Sequence, residues 1–174
     1  MNAAQACELP DDALLRRCLG RGAYADCYVT ELAGRVSHAE YVEAFYTTAV
    51  FKLERVLLSW FVARPSTDAQ AAALAHGEIT SFAAWNVEAR ELNQIVLCDF
   101  YGRTRSWLMS APNPDGGSTR LFFGSAVGPR VDRRSGEARM GPAFRVLLGF
   151  HKVYSRVLLR AAAARLARFR PAEP

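Results

Sequence analysis

Lysine is almost missing from this 174-residue chain: Lys52 and Lys152 stand alone, and the other 20 cations are arginines. Histidine is nearly as scarce, with His38, His76 and His151, so few acid–base or metal-ligand sets can be assembled. The four cysteines, Cys7, Cys18, Cys27 and Cys98, show no C-x-x-C spacing and do not cluster with the histidines. Neither a metal site nor a disulfide framework is therefore expected, and no cofactor is implied. Free thiols fit a reducing compartment, so a cytoplasmic location is expected. No uncharged apolar run reaches the ~18 residues of a membrane span. Glu8, Asp11 and Asp12 occupy the region where a signal peptide needs an apolar core. The P-loop pattern, G-x-G-x-x-G after a strand, H-E-x-x-H and G-x-S-x-G are all missing. Their absence removes the commonest nucleotide-binding, zinc-protease and serine-hydrolase signatures.

What is there suits one domain, 1–174. At 51% hydrophobic and 22% charged residues the composition is that of an ordinary globule with a sizeable core. The net charge of +5 is uneven: residues 1–138 carry 14 Lys/Arg against 16 Asp/Glu, and 139–174 carry 8 against 1. The basicity belongs to the C-terminal end.

That end reads as one amphipathic helix from Pro142 to Phe169, with Gly141 as its cap and Pro142 at the first position. Ala143, Leu147, Phe150, Tyr154, Val157, Leu158 and Ala161 form the apolar stripe; Arg145, Gly149, Lys152, Arg156 and Arg160 lie opposite. From Arg165 charges enter the stripe, so 165–174 reads as a basic tail leaving the body. Residues 1–20 form an N-terminal segment in which Asp11–Leu19 suits a short helix, acids first and arginines last. Tyr24–Leu32 reads as the first strand. Ser37-His38-Ala39-Glu40 and Thr67-Asp68-Ala69-Gln70 are capping boxes that open two helical stretches, with a break at Thr47-Thr48 and a stop at Gly77. Strand-like runs follow at Ser81–Ala89, Leu92–Phe100, Arg103–Ala111 and Thr119–Val127. The Tyr101-Gly102 turn sets a register in which Val96 faces Trp107, Cys98 faces Arg105 and Asp99 faces Thr104. Residues 128–141 are poor in apolar side chains and read as a mobile loop.

The order is therefore strand, two helices, antiparallel strands and a long final helix. This α+β chain resembles the helix-grip superfamily, the START-like and polyketide-cyclase-like proteins, through its uncharacterised bacterial members. The resemblance rests on element order over residues 24–166, on Gly102-Arg103 in a hairpin, Phe123-Gly124-Ser125 at a strand end and Phe150-His151 in the last helix. It implies a curved antiparallel sheet wrapped around the C-terminal helix, with two helices between the first and second strands. It also implies a sheet–helix cavity that binds an apolar or amphipathic small molecule, and no particular catalytic set.

The expected cavity lining is Val96, Cys98, Arg105, Trp107 and Met109 with Trp85, Phe122, Phe150, His151 and Tyr154. That sheet face offers more volume than the Ile95, Leu97, Asp99 and Leu108 face, and one cation to orient a ligand. An alternative is a cyclase- or aromatase-like enzyme in which His151 with Asp99 or Arg105 handles protons on an aromatic or polyketide-like substrate. Glu88 and Asp99 need cationic partners if they point inward, and Arg90 or Arg105 can supply one. A further alternative is a peripheral module that meets an anionic membrane or a partner through the arginine face. Nucleic acid is not expected, since only Phe169 interleaves the C-terminal arginines. The sequence leaves the oligomeric state open.

Overall fold

The strand-like runs pair into one antiparallel sheet. The computed structural model describes residues 3–19, 23–52, 66–128, 130–131, 138–139 and 142–168, giving only the backbone for 130–131, 138–139 and 142–150. In chain order the elements are β1 (Gln5–Ala6), α1 (Leu14–Arg17), β2 (Tyr24–Ala33), α2 (His38–Tyr46), α3 (Asp68–His76), β3 (Ser81–Phe82), β4 (Trp85–Glu91), β5 (Gln94–Asp99), β6 (Thr104–Pro112), β7 (Ser118–Val127), β8 (Arg130–Val131), β9 (Ala138–Arg139) and α4 (Pro142–Arg168). The first seven strands form one sheet in the order β1-β2-β7-β6-β5-β4-β3, every neighbouring pair antiparallel. The fold is α+β.

Local signals set the helix ends. Ser37 Oγ accepts the Glu40 N–H (3.2 Å) while the Glu40 carboxylate accepts the Ser37 N–H (2.7 Å), and Thr67 and Gln70 repeat the exchange ahead of α3. Gly77 closes α3 in the left-handed region, at φ 80°. At the Thr47-Thr48 break, Thr48 Oγ1 accepts the Phe51 N–H (3.2 Å), so it caps the helical backbone that resumes at 49–52. Its continuation, with Leu53, Leu57 and Phe61, lies outside the described residues.

Several expectations need correction. The two helices lie between β2 and β3, not between the first and second strands, because β1 and α1 come before Tyr24. Two residues are too few for β1 to show a pattern. The Ser81–Ala89 run is a hairpin, with Phe82 opposite Trp85 across a turn in which Ala83 takes φ 52°. Within 128–141, Arg130–Val131 pairs with Ala138–Arg139, while 132–137 lies outside the described residues. Helix α4 packs against α2 and over β2 and β7. It shares the sheet face with α2 and α3 and does not cover that face alone. Among the described side chains its buried stripe is Ser155, Leu158, Leu159, Ala162, Ala163 and Leu166, which keeps Leu158 of the expected stripe but leaves Val157 42% exposed; Ala143 and Leu147 lie outside the described side chains. Small residues on this stripe let α4 approach its neighbours closely, a contact that a count of large apolar residues misses. Docking continues to Leu166, two residues into the segment expected to leave the body.

Both sheet faces are apolar, and both are covered. On the helix side, Ile95, Leu97, Leu108, Leu121 and Phe123 join Tyr41, Phe45, Tyr46 and Phe51 in the main core. Phe45 packs on Phe123 and Tyr46 on Phe51, with ring centroids 5.0 and 4.8 Å apart. On the other side Val96, Trp107, Met109 and Phe122 meet Leu14 and Leu15 of α1. Gln94 holds that cover in place. Its Oε1 accepts the Leu14 N–H (2.8 Å) and the Trp107 indole N–H (2.9 Å), and its Nε2 donates to Asp12 O (3.1 Å). Gln94→Leu should therefore destabilise the protein by roughly 2–4 kcal/mol, since two buried donors and a carbonyl lose their partner at once. Urea unfolding checks this; a midpoint equal to that of the parent would show that α1 is held by apolar contact alone.

Candidate functional site

The pairing of β2 with β7 sets Asp26 directly opposite Ser125. Ser125 Oγ donates to Asp26 Oδ1 at 2.7 Å. From α4, His151 reaches the same point: its Nε2 lies 2.5 Å from Ser125 Oγ and 3.9 Å from Asp26 Oδ2. The Tyr28 hydroxyl donates to Asp26 Oδ2 at 3.3 Å, and Ser155 Oγ donates to the His151 carbonyl at 2.9 Å, one turn along the helix. The Asp26 side chain is 8% exposed and that of His151 is 30% exposed, so the carboxylate is sealed while the imidazole reaches the surface.

Hydrogen-bond polarity decides what this trio can do. The serine hydroxyl has one proton, and the carboxylate oxygen can only accept it. Ser125 must then accept from His151, which places a proton on Nε2 and leaves Nδ1 as the acceptor of the neutral ring. The chain runs imidazole to hydroxyl to carboxylate. A serine nucleophile needs the opposite order, with the histidine between serine and acid. Ser125 thus orients the imidazole, and the trio does not engage His151 Nδ1. Burial and the Asp26 charge raise the pKa of both Tyr24 and Tyr28, so both phenols stay protonated near neutrality. The Arg156 guanidinium lies over the Tyr28 ring, 5.4 Å from its centroid.

The chain matches no protein-family model and no curated protein.

The structure separates the residues that the sequence grouped. Among the catalytic candidates, Asp99 Oδ1 accepts the backbone N–H groups of Arg103 (2.6 Å) and Thr104 (3.1 Å), which ties its own hairpin turn. Arg105 is held by both Glu88 oxygens, at 2.7 and 2.9 Å. It lies on the strand face opposite Leu108, so neither residue joins His151. The expected register is correct at Val96–Trp107 and Cys98–Arg105, but the inside–outside choice is reversed. Val96, Trp107, Met109 and Phe122 pack under α1, while Trp85 and Tyr154 pack on the helix-side core. Cys98 follows the alternation of Val96 and faces away from α4. The Phe150 side chain lies outside the described residues. Asp26 and Ser125 went unrecognised because 99 residues separate them, and only the full β2–β7 pairing brings them together.

Two clefts lie away from this trio. One, of about 780 Å³, runs between the N-terminal segment and the sheet, along Gln5, Cys7, Glu8, Met109, Arg120 and Phe122. The other, of about 720 Å³, is bordered by Arg35, His38, Arg90, Asn93 and Ser110. Among the described residues no group of three or more His, Cys, Asp or Glu side chains could hold a metal ion.

His38 beside the second cleft is 8% exposed, and among the described residues neither ring nitrogen has a hydrogen-bond partner. Burial, and then the Arg90 charge, lower its pKa from the ordinary 6.5 to about 4. The unfolded imidazole takes up a proton below pH 6.5 while the folded one stays neutral, so stability is lost as pH falls through that window. The loss should approach ~3 kcal/mol near pH 4. In His38→Leu this part of the pH dependence should vanish, leaving that of the carboxylates. Denaturation midpoints of the two proteins between pH 7 and pH 4 test it; parallel curves would mean that His38 titrates alike folded and unfolded.

Proposed function

We propose that the protein binds an amphipathic small molecule at the end of the sheet–helix interface where Asp26, Ser125 and His151 meet. The observation that carries this reading is the convergence of polar side chains from β2, β7 and α4 at one edge of an apolar interface. Tyr28, Phe123, Tyr154 and Leu158 border that interface. A polar head would meet His151 Nδ1, and an apolar body would enter by parting the buried side chains of Tyr28, Phe123 and Leu158. The helix-grip resemblance supports the same general location, between the sheet and the final helix, and the free thiols favour a cytoplasmic setting.

Convergence also supports the enzymatic alternative, a cyclase- or aromatase-like proton transfer. In that case His151 is the catalytic base, with Ser125 and Asp26 fixing its tautomer. Native mass spectrometry of protein purified from its host should reveal a retained ligand. Asp26→Asn and Ser125→Ala should each weaken rebinding of the released molecule at least tenfold, about 1.4 kcal/mol. Undiminished retention in both variants would move the binding site elsewhere. Chemical change of the ligand during incubation, lost in His151→Gln, would select the enzyme over the carrier.

The surface-binding reading gains one observation. Val153 is 60% and Val157 42% exposed, and they sit beside the exposed Lys152, Arg156 and Arg160 on α4. Anionic liposomes should then co-sediment the protein at low salt and release it at high salt. Val153→Asp/Val157→Asp should abolish the association, and unchanged sedimentation of that variant would retire this reading.

A further inference from the structure

The extension of β1 along β2 brings together two cysteines that lie 20 residues apart in sequence. Gln5 pairs with Val29 and Ala6 with Tyr28, and the next residue, Cys7, donates its N–H to Cys27 O at 3.0 Å. The two sulfurs are 3.3 Å apart. Cys27 is buried, 4% exposed, in the core beneath α1. Cys7 is half-buried and borders the cleft between the N-terminal segment and the sheet. One thiol is thus reachable from solvent, with the other directly behind it.

We infer that Cys7 and Cys27 form a reversible redox site, in which a hydroperoxide entering the cleft oxidises Cys7 and Cys27 resolves it to a cross-strand disulfide. Directly paired residues of antiparallel strands have Cα atoms about 4.5–5.5 Å apart, inside the range that a disulfide spans. Closing the bond to about 2.04 Å needs an approach of roughly 1.3 Å, within reach of side-chain rotation and a small shift of the edge strand.

In the first step the Cys7 thiolate attacks one peroxide oxygen. An S–O bond forms as the O–O bond breaks, and the departing alkoxide takes the proton that Cys7 released. The product is a sulfenic acid on Cys7 and one alcohol, or water when the oxidant is hydrogen peroxide. In the second step Cys27 loses its proton and its sulfur attacks the Cys7 sulfur. The S–S bond forms as the S–O bond breaks, and hydroxide leaves with the Cys27 proton as water. Two electrons pass from the thiols to the peroxide.

The order of events follows from the surroundings. The neighbouring Cys27 thiol hydrogen-bonds Cys7 and makes it more acidic, whereas burial makes Cys18 and Cys98 less acidic. Cys27 itself is raised by that same bond and by burial, so it is the second thiol to react and not the first. The disulfide would close a loop of roughly twenty residues that contains α1, fastening the N-terminal cover to the sheet.

Hydrogen peroxide titration of the full chain, followed by alkylation and non-reducing peptide mapping, provides the test. A Cys18→Ser/Cys98→Ser background leaves only the pair. The expected product is an intact mass lower by two hydrogens, a Cys7–Cys27 cross-linked peptide and reversal by dithiothreitol. The melting temperature should rise by roughly 5–10 °C on oxidation, and fall back on reduction. In Cys27→Ala, Cys7 should stop at the sulfenic acid and be captured by dimedone. Two results would overturn the inference: both thiols remaining free in the Cys18/Cys98 background, or Cys7 passing to sulfinic acid there without a cross-link. The background retains both members of the pair, so the test holds even if Cys27→Ala fails to fold.

Discussion

A single buried amide, that of Gln94, decides how this sheet is covered. Strands β5, β6 and β7 are apolar on both faces, so a structure with helices on one side only would leave Val96, Trp107, Met109 and Phe122 in water. Removing each such side chain from water is worth about 1.5–3 kcal/mol, which gives the second cover its driving force. Apolar contact has no direction, and α1 has only four residues with which to find its place. The Gln94 amide supplies direction by engaging Asp12, Leu14 and Trp107 together. Trp107 in turn packs close over Gly124, its partner on β7. A Cβ at Gly124 would stand 2.8 Å from the indole and 3.2 Å from Leu15. The glycine in Phe123-Gly124-Ser125 thus serves the α1 side, while its serine serves the α4 side. Strand alternation lets one tripeptide do both.

The same alternation explains where the polar trio can exist. Tyr24, Asp26 and Tyr28 share one face of β2, and their partners on β7 share the corresponding face. Further along the pair, that face carries core residues such as Leu32 and Leu121. Toward the Tyr24 end it meets His151, near the described beginning of the α4 side chains. A buried carboxylate is costly unless its oxygens are satisfied. Asp26 has the Ser125 and Tyr28 hydroxyls for this purpose. Such a fully bonded group can simply be structural. What separates it from core polarity is the half-buried histidine at one end of the hydrogen bonds, with a ring nitrogen that the trio does not use.

Legibility in the sequence followed the range of each interaction. Capping boxes at Ser37 and Thr67 involve neighbours three residues apart, and Gly77 needs only its own backbone angle, so these were readable. The Tyr101-Gly102 turn also carried its register into the flanking strands. The choice of sheet face was not readable, because β5 and β6 are apolar on both sides and the cover over the second face comes from a four-residue helix. The β3–β4 hairpin was hidden for another reason: its turn uses Ala83 at a positive φ, where glycine or asparagine is the usual signal. Of the expected α4 stripe, Leu158 is buried and Tyr154 packs on the core while Val157 is exposed; the sequence missed Ser155, Ala162 and Ala163, because close helix packing selects small residues. Asp26–Ser125 and Cys7–Cys27 depend on pairing partners that no local pattern specifies.

The charged residues that drew attention in the sequence prove to be occupied locally, and that narrows the chemistry. Asp99 holds its turn, Arg105 is gripped by Glu88, and Arg90 donates to the Leu74 and Ala75 carbonyls at the end of α3. Each is committed to one or two geometric tasks, and moving it to a reacting substrate would leave donors or acceptors behind. His151 differs because only its Nε2 is engaged in the trio. Its tautomer is also set by the acceptor-only character of the Asp26 carboxylate, transmitted through one hydroxyl. Its Nε2 also lies 3.9 Å from Asp26 Oδ2, so ring, hydroxyl and carboxylate meet at one point. In this tautomer the Nδ1 side of the neutral ring is the side that can accept a hydrogen bond. The Ser125 hydroxyl proton points to Asp26 Oδ1 and not to the imidazole, which is the reverse of the order that a histidine-activated serine requires.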